Sequence, residues 1–142
     1  MRALFDDLLL SLPPANRDLV TTLAAEELEA CLPKETTRQI LSALVNNALD
    51  ASSPGQPVEL SARSRDERLS FTVQDRGQGM TAETLAHLGE PFFTTKEPGR
   101  GMGLGTFLAR VFAENLHGSL EFESAAGEGT TAILELPIDA AR

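Results

Sequence analysis

Cysteine occurs once, at Cys31, and histidine twice, at His87 and His117, so the chain cannot assemble a disulfide framework or a Cys/His zinc centre. Cys31 is read as buried packing in a strand rather than as a redox sensor. No apolar run approaches the ~18 residues of a membrane-spanning helix, and the N-terminus lacks the charged-then-apolar pattern of a signal peptide. Positive charge is scarce: 12 Lys and Arg face 21 Asp and Glu, for a formal net charge of −9. That balance excludes a chain-wide electrostatic grip on nucleic acid or on an anionic membrane. Also missing is any Gly-Lys-Ser/Thr ending of a P-loop. Gly101-x-Gly103-x-Gly105 does not fit the dinucleotide fingerprint, because Leu108 stands where a third, spaced glycine is needed.

What is present is ordinary globular composition, 42% hydrophobic and 23% charged over 142 residues, which predicts one soluble domain spanning 1–142. The acidity is uneven. Only the window 91–110 is net positive, with Lys96, Arg100 and Arg110 against Glu97, and it overlaps a stretch from Gly77 to Gly105 that holds seven of the 11 glycines. A cationic, glycine-rich loop in an acidic protein points to a small anion. The competing reading is a surface loop that happens to be basic.

Hydrophobic periodicity places the elements. Ala3 to Ser11 reads as a short helix stopped by Pro13 and Pro14, and Leu19 to Ala24 and Leu28 to Leu32 as short strands. A long helix is predicted from Glu35 to Ser52, opened by a Thr36-x-x-Gln39 capping box, with Ile40, Leu41, Leu44, Val45, Ala48 and Ala51 on one arc. Asn47 lies at the edge of that arc, flanked by Ala43 and Asp50 one turn either way. Val58 to Ala62 and Leu69 to Val73 alternate as two strands around a turn at Arg65 to Arg68. If the second strand continues, Asp75 shares the core-facing parity of Leu69, Phe71 and Val73, and an inward carboxylate requires donors. The alternative is a strand that ends at Gln74, with Asp75 opening an Asx turn.

A short helix from Thr81 to Leu88 precedes an aperiodic stretch, Gly89 to Gly103. Leu104, Phe107, Leu108, Val111, Phe112 and Leu116 then follow helical spacing up to Gly118, and Leu120/Phe122 and Ala132/Leu134/Leu136 form a closing hairpin. This order predicts an α/β (α+β) two-layer sandwich, with a mixed sheet of about five strands and three main helices on one face. The glycine bend running into the helix after Leu104 offers backbone N–H groups and a positive dipole end to phosphate.

Four pieces in order, Asn46-Asn47-Ala48, Asp75-Arg-Gly77-Gln-Gly79, Pro91-Phe92-Phe93-Thr94-Thr95-Lys96 and Gly101-Met102-Gly103-Leu104-Gly105, resemble the ATP-binding catalytic domain of sensor histidine kinases over about residues 35 to 137. That domain has the GHKL (Bergerat) fold shared with Hsp90-, MutL- and gyrase-type ATPases. The run from Gly89 to Gly105 is further similar to the redox-responsive RegB/PrrB type.

The resemblance implies ATP and Mg²⁺ as cofactors. Asn47 is then the magnesium ligand, and Asp75 the acceptor of the adenine amino hydrogens. Gly77 and Gly79 form the turn beside the base, and Thr130 stands near the adenine. Residues 89–103 become an ATP lid, with Phe92 and Phe93 as its anchor and Thr94, Thr95, Lys96 and Arg100 near the phosphates. Asp50 stands where many members place a base, and its competing reading is a solvated helix charge. Ala43 replaces the glutamate that activates water in the ATPase branches, so fast intrinsic hydrolysis is not expected.

His87 and His117 are read as structural. The phosphoacceptor histidine would belong to a separate dimerisation hairpin, with residues 1–12 at the junction. A response regulator is the onward partner. The expected location is cytoplasmic, in a full-length protein anchored in the inner membrane. A serine kinase of the anti-sigma type and a nucleotide-binding module without transferase activity are the alternatives.

Overall fold

The computed structural model describes residues 1–24, 31–52, 55–88 and 104–139. The elements are α1 (Arg2–Leu10), α2 (Pro14–Arg17), β1 (Val20–Ala24), α3 (Lys34–Ala51), β2 (Val58–Arg65), β3 (Arg68–Gln74), α4 (Ala82–His87), α5 (Leu104–Asn115), β4 (Ser119–Ser124) and β5 (Thr130–Pro137). The strands form one sheet in the order β1-β2-β3-β5-β4; β1 runs parallel to β2 and every other pair is antiparallel, so the sheet is mixed.

Period-two burial explains the layering. Val58, Leu60 and Ala62 of β2, Leu69, Phe71 and Val73 of β3, and Ala132, Leu134 and Leu136 of β5 are all buried, while the residues between them are polar or partly exposed. α1, α3 and α5 cover that one face. Ile40, Leu41, Leu44, Val45 and Ala48 of α3 are buried, as the predicted arc requires. Leu4, Phe5 and Leu8 of α1, with Leu12 just beyond it, join the same core, and the Phe5 and Phe71 rings meet at 6.2 Å between centroids. Each such fully buried aliphatic or aromatic side chain contributes about 2 kcal/mol. Residues 1–12 are thus an integral part of the packed domain. The Arg17 guanidinium binds them from behind, donating to the carbonyls of Leu9, Leu10 and Leu12 past the end of α1.

Several expectations are corrected. There is no capping box on α3: the helix starts at Lys34 after Pro33, no side chain caps it, and Thr36 already lies in its first turn. Gln39 bonds Glu35 instead. Within that turn, the Arg38 guanidinium bonded to Glu35 holds the Glu35 carboxyl below its ordinary pKa. Of the predicted strand Leu28–Leu32, residues 28–30 lie outside the described residues, and Cys31 and Leu32 are not in a strand. Cys31 is exposed rather than buried; its backbone N–H donates to Ile138 at 2.8 Å while its side chain faces out.

The core face of α5 only partly follows the predicted stripe: Phe112 and Leu116 pack against the core. Small residues, Ala109 and Ala113, are buried with Thr106, and Leu108 is 45% exposed. Close packing of α5 against α3, β4 and β5 selects the small side chains and leaves Leu108 outside. The helix ends in a Schellman motif, where Gly118 N–H reaches the Ala113 carbonyl, His117 N–H reaches Glu114, and His117 itself takes φ +63°. His117 is therefore the left-handed residue beyond the helix rather than part of its last turn.

Candidate functional site

On the helix-covered side of the sheet, the apolar rows give way at one end to a polar row. Strand register continues Val73–Ala132–Phe122 into Asp75, Thr130 and Ser124. β3 ends at Gln74, so the Asx-turn alternative holds for the backbone, yet the carboxylate points inward as the strand parity required. Asp75 is 5% exposed. Its Oδ1 accepts from Gly77 N–H at 2.9 Å and from Thr130 N–H at 3.2 Å, and its own N–H donates to the Thr130 carbonyl at 2.9 Å. Among the described residues nothing donates to Oδ2. A buried carboxylate with one oxygen committed and the other awaiting a donor is a recognition element for an N–H group.

The loop after Asp75 is shaped by close backbone contacts. A Cβ on Gly77 would lie 2.0 Å from the Ala51 carbonyl, so glycine there lets the loop lie against the last turn of α3. Gly79 takes φ +69°, and its Cβ would strike the Ala125 carbonyl at 2.0 Å. Both glycines, read from sequence as a turn beside a base, are thus required by the chain's own backbone.

That contact brings α3 to the site. Asn47 sits one turn before Ala51, half-buried, and its Nδ2 donates to Thr106 Oγ1 at 3.0 Å. The bond fixes the amide plane and ties α3 to the first turn of α5. Asp50, on the same side of α3, is exposed, and Ala43 is half-buried. Gly105 is exposed at the start of α5, and among the described residues no atom lies within 4 Å of where a Cβ would stand. Arg110, from the basic window, donates to the Leu88 carbonyl at 3.2 Å and so secures the end of α4. His87 closes α4 and is exposed, as is His117.

Asn47, Asp75, Gly77, Gly79, Gly105 and Thr130 are therefore gathered at one end of the sandwich. Phe92, Phe93, Thr94, Thr95, Lys96, Arg100, Gly101, Met102 and Gly103 lie outside the described residues, and of Leu104 only the backbone is described, as the first residue of α5. Sequence reading missed Thr106 and Ser124. Thr106 follows the last glycine of the bend directly, and that position was the available signal. Ser124 had none, being a strand-end serine like many others.

Residues 34–140 match the family described as histidine kinase-, DNA gyrase B- and HSP90-like ATPase. The chain belongs to that family. Among curated relatives it is 36% identical over 127 residues to histidine protein kinase DivJ of Caulobacter vibrioides, covering 87% of this chain and 21% of that protein. It is 35% identical over 102 residues to sensor protein DegM of Bacillus sp. (strain B21-2), covering 72% of this chain and 27% of that protein. The chain thus spans about a quarter of the length of these relatives. In fold it is similar to the catalytic domain of histidine kinase ThkA, with a TM-score of 0.82 at 22% identity over 99% of this chain and 94% of that one. Full-length ShkA, solved in complex with AMPPNP, superposes with a TM-score of 0.77 at 24% identity, over 96% of this chain and 30% of that one. The GHKL sandwich expected from sequence is the observed fold.

The donor set fits a magnesium nucleotide rather than a protein-caged metal. Among the described residues no group of three His, Cys, Asp or Glu side chains could hold an ion. A hard cation that keeps several waters and takes the rest of its oxygens from phosphate needs little more than one oriented amide. Asn47, held by Thr106, supplies one.

Proposed function

We propose that this chain is the ATP-binding catalytic module of a two-component sensor histidine kinase, delivering the γ-phosphoryl of ATP to a histidine on a separate dimerisation domain. The observation that carries the reading is the Asp75 carboxylate, buried at the end of the polar row with its donors all on Oδ1. Adenine, which presents an exocyclic amino group, suits Oδ2. Mg²⁺ would supply charge neutralisation between phosphate oxygens, with Asn47 as its protein ligand.

The residues of the chain do the remainder. Gly101 to Gly105 and the first N–H groups of α5 bind phosphate, and Lys96 and Arg100 balance its charge. Phe93, Thr94 and Thr95 belong to the covering segment 89–103. Such positioning and charge balance is most of what phosphoryl transfer requires from a protein. No carboxylate occupies position 43 to draw a proton from water, so the bound triphosphate hydrolyses slowly and is kept for an external nucleophile. The onward partner is a response regulator, and the whole protein is anchored in the inner membrane with this module on the cytoplasmic side. Among the described residues no helix is long and apolar enough to cross a membrane.

Titration with ATP and Mg²⁺ tests the reading: binding saturates, and Asp75→Asn weakens it at least tenfold, about 1.4 kcal/mol. Undiminished affinity in that variant overturns the adenine assignment. Mixing the chain with a separately made histidine-bearing helical hairpin and labelled ATP then yields acid-labile phosphohistidine. An acid-stable phosphoserine on a supplied protein acceptor would instead identify a serine kinase.

A further inference from the structure

Ser124 lies at the centre of three short contacts. Its Oγ accepts from Met80 N–H at 2.8 Å, stands 2.9 Å from the Gly129 carbonyl oxygen, and stands 2.9 Å from Thr130 Oγ1. The proton count admits one assignment. The Gly129 carbonyl has no hydrogen, so Ser124 must donate to it, and the serine hydroxyl has only one hydrogen to give. The contact with Thr130 is therefore made with the Thr130 proton. Thr130 Oγ1 is left as an acceptor only, next to the Asp75 carboxylate, which accepts from the Thr130 N–H.

Asp75 and Thr130 thus offer two side-chain acceptors and no side-chain donor at the end of the polar row. An exocyclic amino group, with two N–H donors, matches such a pair. A keto oxygen at the same ring position meets two acceptors and is rejected.

We propose that Ser124 is a positioning residue that sets nucleobase selectivity, by holding the Thr130 hydroxyl in its acceptor state so that a 6-amino purine is preferred over a 6-keto purine. The proposal rests on the nucleotide reading above and extends it to a residue outside the expected contact set. Removing the Ser124 hydroxyl releases the Thr130 proton, which then serves a keto oxygen as donor. The discrimination falls while the Asp75 carboxylate stays in place.

The test measures the dissociation constants of ATP and inosine 5′-triphosphate, each with Mg²⁺, on the wild-type chain, Ser124→Ala and Ser124→Thr. The expected result is a wild-type preference for ATP that drops about tenfold in Ser124→Ala, about 1.4 kcal/mol, and is restored by the hydroxyl of Ser124→Thr. If Ser124→Ala weakens both nucleotides by the same factor, the serine is only a structural tie and the proposal is overturned. Should Ser124→Ala fail to fold, Thr130→Val, which removes the acceptor itself, must lower the ratio, and an unchanged ratio there overturns the proposal equally. Wild-type chain that binds neither nucleotide removes the nucleotide reading, whereas ATP binding sensitive to Asp75→Asn with a ratio indifferent to Ser124 removes this inference alone.

Discussion

Thr37 and Asp75 are both buried polar side chains, and they illustrate opposite uses of burial. Thr37 is 0% exposed in the first turns of α3, and among the described residues its Oγ1 has no hydrogen-bond partner. Nothing in the site uses it. An unsatisfied buried hydroxyl costs about 1–3 kcal/mol, and valine has nearly its shape. Thr37→Val is therefore expected to stabilise the fold by about 1 kcal/mol, read as a raised urea midpoint at unchanged m-value, with nucleotide affinity unaltered. A lowered midpoint would show that the hydroxyl has a role that the packing does not reveal. Asp75, by contrast, keeps a cost that on the proposed function serves recognition, and for that reason its conservative amide variant is expected to fold and yet to bind poorly.

The glycines at the two ends of α5 separate packing from function. Gly118, beyond its C-terminus, lies so close to β5 that a Cβ would stand 2.1 Å from the Glu135 carbonyl oxygen and 2.7 Å from a Leu136 methyl. Gly118→Ala should cost about 2 kcal/mol by forcing helix and strand apart, measurable as a lower thermal midpoint. Among the described residues nothing stands near the missing side chain of Gly105, and its φ is not positive. In a helix, alanine there is worth up to about 1 kcal/mol over glycine, so Gly105→Ala should hold or raise the midpoint; on the proposed function it should also weaken ATP binding, because the new methyl would stand at the proposed phosphate site. Unchanged affinity in Gly105→Ala would separate this bend from the phosphate site.

The hairpin between β2 and β3 shows the reach of local chemistry at the same scale. Asp66 and Glu67 take φ of 52° and 63°, a two-residue turn with both central residues left-handed. The sequence marks the place but not the type, because the usual Asn-Gly is absent.

For the molecule as a whole, ligand and fold are linked by mass action. A ligand held by the folded chain alone adds about 2.7 kcal/mol at a hundredfold excess over its Kd. For a chain of 142 residues, Mg²⁺ and ATP together should then raise Tm by about 8 °C. The same incubation with labelled ATP is expected to leave His87 and His117 unlabelled, since on the proposed reading the acceptor histidine lies on a separate domain. A Tm indifferent to ATP, or label on either histidine, would contradict the assignment.

The sequence by itself determined the alternation of strands, the apolar arc of α3, the inward parity of Asp75 and the ordered motifs that mark the family. These are local or periodic signals, carried by neighbours along one strand or one helix face. It misassigned the cap of α3, the exposure of Cys31 and part of the buried face of α5. The first follows from Pro33 directly before the helix, and the other two depend on what another element presents: the Ile138 carbonyl opposite the Cys31 N–H, and the helix and strands packed around Ala109 and Ala113. Only the tertiary structure decided that Thr106 accepts from the Asn47 amide and that Ser124 accepts from the Thr130 hydroxyl. Side-chain hydrogen bonds join residues six and fifty-nine positions apart, and no periodicity in a chain records which donors and acceptors folding will bring within 3 Å of each other.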